Sequence, residues 1–243
     1  MIRLFVTEAL EAGSALEPSP EQARYLTQVM RRGLGDEVRL FNGRDGEWRA
    51  RVGAITRRGC RLDVEALERP QAAGPDLELL IAVVKRAPLE WAVEKATELG
   101  VARVRLVTTR RTNAERANLG RLTAIATEAA EQCGRLDVPE VTGPEPLEGV
   151  LDGWDGRRLV FCDEGEGVRP MLEALPASEA GAILIGPEGG FAPEERTRLR
   201  ASPFVTAVSL GPRILRAETA AVAALTLWQA AAGDWRDGLP GVG

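Results

Sequence analysis

Arg216 and Glu218, opposite charges separated by one alanine, stand at the entrance to a long alanine-rich run. They close a glycine-punctuated stretch, Ser209-Leu210-Gly211-Pro212-Arg213-Ile214-Leu215-Arg216. A second such stretch, Ile185-Gly186-Pro187-Glu188-Gly189-Gly190-Phe191, lies a short way upstream. Each follows a short apolar run that reads as a strand. Two loops of this kind at the carboxyl ends of neighbouring strands are where an open α/β sheet holds a ligand. Gly189 and Gly190 permit positive φ and close backbone approach to a bound group. A tight turn that merely reverses the chain is the competing reading. The spacing is not G-x-G-x-x-G, and no Gly-Lys-Ser/Thr follows, which weakens the dinucleotide and P-loop readings. Glu218 suits the first turn of a helix without further function. Arginine there opposes the helix dipole, and either an anionic partner or an internal ion pair would account for it.

The 243 residues include no histidine, so proton transfer must fall to a carboxylate, a lysine or solvent. Apart from Lys85 and Lys95, every basic side chain is arginine, which suits bidentate phosphate contacts as well as surface ion pairs. The net charge of -5 argues mildly against indiscriminate nucleic-acid binding, although residues 1–70 carry a slight basic excess. Cys60, Cys133 and Cys162 share no metal-ligand spacing, and no metal site is expected. No apolar stretch is long enough to span a bilayer, and Met1-Ile2-Arg3 leads directly into a strand-like segment, so a cytoplasmic protein is expected.

These residues need elements to position them. The punctuated stretch 70–75 is the best boundary, giving domains 1–70 and 76–243. Before it, a strand at 3–6 precedes a helix opening at Ser19-Pro20 and ending at Gly33, with Tyr25, Leu26, Val29 and Met30 as its inward stripe. Strands at 37–41, 47–55 and 60–66, with turns at 42–46 and 57–59, make a small β module resembling a partly closed barrel. Beyond the boundary, strands at 77–84, 101–107, 158–161, 182–185 and 205–210 alternate with helices. Those helices are expected at 88–100, 114–133, 168–175, 193–199 and 214–232, and residues 233–243 should fray. This order predicts a mixed α/β domain with helices on both faces of the sheet. Glu128, Gln132 and Arg135 line one side near the end of the long helix, as a solvated face or an interface would.

Four co-linear blocks give the chain a resemblance. They are the run Leu89 to Gly100, Glu128-Ala129-Ala130-Glu131-Gln132-Cys133-Gly134-Arg135 with Pro139, the run Ile185 to Phe191, and the run Ser209 to Ala220. Val29-Met30-Arg31 followed by Gly35-Asp36 adds an amino-terminal match. Together they resemble the bacterial methyltransferases that modify N3 of uridine 1498 in 16S ribosomal RNA, members of the SPOUT superfamily. The resemblance implies a PUA-like RNA-binding barrel and a carboxyl-terminal α/β domain with a deep trefoil knot. It also implies S-adenosylmethionine as cofactor, a homodimer, and a substrate within the 30S ribosomal subunit.

By that resemblance, the cofactor would be wrapped by Ile185, Gly186, Pro187, Glu188, Gly189 and Gly190, and by Leu210, Gly211, Ile214 and Leu215. Phe161, Cys162, Asp163 and Glu164 would form a third wall. Arg216 would stabilise charge on the base, and Glu218 would orient it or take the proton. Arg3, Arg24, Arg31 and Arg32 would meet RNA. The family's histidine near the amino-terminal helix is replaced here by Arg24-Tyr25. The rival readings are a 2′-O-ribose methyltransferase on the same scaffold and a noncatalytic RNA-binding or ribosome-assembly protein.

Overall fold

The structure, a computed structural model, describes residues 1–57, 59–113, 116–175 and 181–236. Expectations for Arg58, for the helix start at Ala114, and for the frayed end over 237–243 lie outside the described residues. The chain forms two compact units. One joins Met1–Ala73 with Ala130–Val138, and the other joins Gly74–Ala129 with Pro139–Gly243. Residues 130–138 thus belong with the first unit, an exchange that a linear boundary at 70–75 does not foresee.

Among the described residues the first unit holds a five-stranded sheet. Its strands are β1 (Arg3–Phe5), β2 (Ala15–Leu16), β3 (Glu37–Phe41), β4 (Glu47–Ile55) and β5 (Cys60–Arg69), in the order β1-β3-β4-β5-β2. Alternate residues turn inward, and Leu4, Leu40, Val52 and Leu62 close a core with Leu26. Helix α1 (Pro20–Arg24) begins with a reciprocal cap. Gln22 N–H donates to Ser19 Oγ at 3.2 Å, and Ser19 N–H donates to Gln22 Oε1 at 3.1 Å.

The chain then widens into a π-helical turn, Tyr25–Val29, with Met30 N–H donating to the Tyr25 carbonyl. One residue more per turn rotates the next side chains away from the core. The expected inward stripe is therefore corrected: Leu26 is buried, but Val29 is 64% and Met30 39% exposed. Arg31, at φ 52°, ends the segment.

The second unit carries a six-stranded sheet, every pairing of which is parallel. Its strands are β6 (Leu77–Ala82), β7 (Arg103–Thr108), β8 (Glu140–Pro146), β9 (Arg158–Cys162), β10 (Gly181–Ile185) and β11 (Val205–Val208). Their order is β11-β9-β10-β6-β7-β8. All six residues of β6 and all five of β10 are buried, as central strands covered on both faces must be. The helices are α2 (Arg86–Glu98), α3 (Leu119–Cys133), α4 (Leu147–Asp152), α5 (Met171–Ala174), α6 (Pro193–Ala201) and α7 (Ala217–Ala232). Helix α7 packs on α2, and Gln229, fully buried, donates 2.6 Å to the Leu99 carbonyl at the end of α2. That bond satisfies one of the carbonyls a helix end leaves open.

Beside the two-residue β2 and the 3-10 turn Asp234–Arg236, which stands where fraying was expected, two elements escaped the sequence reading. β8 is an edge strand containing a cis Gly143–Pro144 bond, and a proline is tolerated at an edge where no ladder N–H is needed. α4 comes directly after it. A third difference matters for the site. α7 starts at Ala217, so Ile214, Leu215 and Arg216 belong to the loop before it. Among the described residues no helix is long and apolar enough to cross a membrane.

Candidate functional site

β9, β10 and β11 lie side by side, and the loops after their carboxyl ends enclose a cavity of about 340 Å³. That is within the range of sites for small organic ligands. Each loop is held by its own bonds. After β10, Gly190 N–H donates 2.8 Å to the Pro187 carbonyl, closing a turn. After β11, Gly211 N–H donates 3.2 Å to Ser209 Oγ. After β9, Gly165 N–H donates 2.9 Å to Asp163 Oδ1.

Two glycines are required by close approach. A Cβ on Gly186 would stand 2.5 Å from the Phe191 ring. That ring meets Phe161 edge-on with centroids 5.0 Å apart, and it lines the cavity. Gly190 has φ 67°, and a Cβ there would lie 2.6 Å from Glu164 Oε1. Gly189 differs: its φ is not positive, and a Cβ would make ordinary contact with Arg111 at 3.5 Å.

Of the residues expected to hold a cofactor, Cys162, Asp163, Glu164, Ile185, Gly186, Pro187, Glu188, Gly190, Leu210, Gly211, Ile214 and Leu215 line the cavity. Phe161 and Gly189 do not. Phe161 is buried beneath Phe191, and Gly189 sits against Arg111. The lining also includes Gly165, Glu166, Phe191, Arg196, Ser209, Pro212 and Arg213, which were not among the expected cofactor residues, as well as Ala217 and Ala220, whose small side chains leave room at the start of α7.

The lining is electrically lopsided. Asp163 is fully buried, yet it is clamped by Arg200 at 2.6 Å and Arg196 at 3.3 Å. Glu164 lies 3.4 Å from Arg196 and is half exposed. Among the described residues Glu166 and Glu188 make no ion pair, and neither does Arg213 on the opposite loop, so unpaired carboxylates outnumber the unpaired cation and the lining keeps a modest acidic excess that suits a cationic ligand. Burial pushes the Cys162 thiol up to about 12, so it stays protonated and unreactive at neutral pH. Among the described residues no cluster of three metal-ligating side chains occurs.

Arg216 and Glu218 flank the cavity without lining it. Arg216 caps α7 with its backbone, at ψ 155°. Its exposed side chain makes no hydrogen bond or ion pair among the described residues, so neither an internal ion pair nor neutralisation accounts for it.

The four amino-terminal arginines part ways. Arg3 is nearly buried and engaged on every side. It pairs with Glu47 at 2.7 Å, stacks 4.4 Å over Phe41, and donates to the carbonyls of Ala130, Glu131 and Arg135. It caps the open end of α3, and its place on an RNA face is corrected to a structural one. Arg32 lies 3.9 Å from Asp36. Arg24 and Arg31 are exposed and unpaired among the described residues. Arg24 lines a groove of about 570 Å³ together with Arg57, which the sequence did not single out.

A family model described as an RNA methyltransferase domain matches residues 72–229, and one described as an RNA methyltransferase PUA domain matches residues 19–65. The chain belongs to the RNA methyltransferase family. This RNA methyltransferase is 31% identical over 228 residues to the ribosomal RNA small subunit methyltransferase E of Rickettsia conorii, covering 92% of this chain and 93% of that one. With the protein of the same name from Synechocystis it shares 33% over 211 residues, covering 84% and 69%. Its structure superposes with a TM-score of 0.88 on a ribosomal RNA small subunit methyltransferase E of Neisseria gonorrhoeae bound to S-adenosyl methionine. The identity there is 26%, covering 97% of this chain and 99% of that one. The methyltransferase is thus a SPOUT-type α/β domain preceded by a PUA-like β domain.

Proposed function

We propose that this protein transfers a methyl group from S-adenosylmethionine to N3 of uridine 1498 in 16S ribosomal RNA, acting on the assembled 30S subunit in the cytoplasm. The observation that carries the reading is the acidic, glycine-lipped cavity over β9, β10 and β11. It suits a cationic cofactor of this size, and the chain resembles, over nearly its full length, a relative that binds that cofactor. Bound there, S-adenosylmethionine supplies an electrophilic methyl on a sulfonium that leaves readily. Leu210, Leu215 and Phe191 offer apolar walls for the adenosine. Glu164, Glu166 and Glu188 offer carboxylates to its polar and charged groups, and Gly186 and Gly190 let the backbone come close.

What remains for the protein is to align the uracil and manage its charge. Removing the N3 proton leaves negative charge on the flanking carbonyl oxygens. Arg216, unpaired among the described residues and beside the cavity, is the group that holds it. Glu218 in the next turn takes the proton or orients Arg216, a role no histidine can fill here. The uracil must leave its stack to reach the cavity. Arg24, Arg31 and Arg57 in the PUA-like unit hold phosphates and so position the RNA.

The decisive experiment is mass spectrometry of nucleosides after incubating the protein and cofactor with 30S subunits lacking the modification. 3-Methyluridine is the expected product. 2′-O-methyluridine would establish the ribose methyltransferase instead, and no modification would leave the noncatalytic RNA-binding reading.

The acting species is a homodimer, a reading supported by the exposed Glu128 and Gln132 on α3 and by the family resemblance; Arg135 leaves the expected stripe, because α3 ends at Cys133 and Arg135 turns in to pair with Asp137 at 3.0 Å. Sedimentation at micromolar concentration is expected to give twice the 26.2 kDa chain mass. A fully active monomer would remove the homodimer reading.

A further inference from the structure

The loop after β7 gives two adjacent arginines opposite fates. Arg110 is neutralised, with Glu148 at 3.2 Å and Glu194 at 3.3 Å. Its backbone N–H donates 2.8 Å to Oε1 of Glu195, a buried carboxylate. The other oxygen of Glu195 accepts the N–H of Ala192 at 2.9 Å, where the glycine loop enters α6. One buried side chain therefore ties the two loops together. The bonds from Thr109 N–H to Thr112 Oγ1, 2.8 Å, and from Thr112 N–H to the Thr109 carbonyl, 3.1 Å, fix the turn between them.

Arg111 projects from that fixed turn. Its Nη1 donates 3.0 Å to the carbonyl of Gly189, which stands between the lining residues Glu188 and Gly190 without lining the cavity itself. It is exposed and has no carboxylate partner among the described residues. A guanidinium offers five donors in a rigid fork, and one contact leaves most of them available. A held, uncompensated fork at the rim of a cofactor site matches the geometry of a phosphate.

We infer that Arg111 links the two substrates: one arm braces the cofactor loop at Gly189, and the other receives a phosphate of the RNA beside the target nucleotide. This rests on the methyl-transfer reading above. A phosphate that holds the guanidinium in place also holds the loop, so RNA and cofactor tighten one another's binding by the same factor.

The test measures binding of 30S subunits over a range of salt, with and without S-adenosylhomocysteine, which occupies the cofactor site without turnover. In the wild-type protein the analogue is expected to tighten RNA binding severalfold. Arg111→Ala should weaken RNA binding about tenfold, as loss of a charge-assisted contact does, and lower the salt slope by roughly 0.7–0.9. Arg111→Lys keeps the charge and the slope but cannot span both partners, so the tightening by the analogue should vanish. An Arg111→Ala slope equal to wild type would overturn the phosphate contact. Undiminished tightening in Arg111→Lys would overturn the link. A wild-type protein that leaves 30S RNA unmethylated would remove the underlying reading, whereas an active wild type with an unaltered Arg111→Ala removes this inference alone.

Discussion

Replacing Arg216 by alanine is expected to lower the single-turnover rate of methyl transfer about a hundredfold at saturating RNA and cofactor, a loss of about 2.7 kcal/mol at the lower end for one such donor. Cofactor affinity should stay near wild type, because Arg216 does not line the cavity while its neighbours Leu215 and Ala217 do. The side chain is exposed in the free protein, so the contact forms only when RNA covers the rim. That places the loss in the chemical step and not in the ground state. The fold should be little affected, since Arg216 contributes its backbone to α7, and alanine adopts the same extended ψ. A rate constant equal to wild type, with RNA binding intact, would take Arg216 out of the reaction.

The second large effect separates two neighbouring glycines. Gly190→Val must force a β-branched residue into φ 67°, at a cost of about 1–2 kcal/mol, and drive its Cβ against the Glu164 carboxylate. Both strains fall on the cavity wall. S-adenosylmethionine affinity measured by calorimetry is expected to drop at least about tenfold. Gly189→Val has neither strain. Its new methyl groups meet Arg111 outside the cavity, and cofactor affinity should remain within about twofold of wild type, a change near the limit that about 0.4 kcal/mol would produce. The reverse ranking would show that the cofactor lies on the other side of the loop.

The glycine loops were legible because a strand-like run, a turn and a helix start are all local signals. Their closest requirements were not. Gly186 is fixed by Phe191 only five residues on, but which of three glycines faces the ligand depends on the path of the turn. Arg111 and Glu195 were invisible because their partners lie 78 and 85 residues away. Arg3 misled for the same reason. Its charge suggested a phosphate contact, while the carbonyls that it caps lie more than 120 residues along the chain. Val29 and Met30 misled through geometry, because a π turn breaks the 3.6-residue period on which the inward stripe was read. β8 hid behind its Gly143-Pro144 pair, which reads as a loop in every position except a sheet edge.

The strand order also sets a timetable for synthesis. β6 and β7 are made early, but β6 has no partner on its other side until β10 has been made, and the cavity walls come from residues 162–166, 185–191 and 209–220. α7 then settles on α2 through Gln229, near the end of the described chain. A polypeptide stopped before Ser209 would own most strands of the sheet and still lack one wall of the cavity. The pocket for the methyl donor is therefore among the last parts of the molecule to be made, finished only when the first turn of α7 has followed β11.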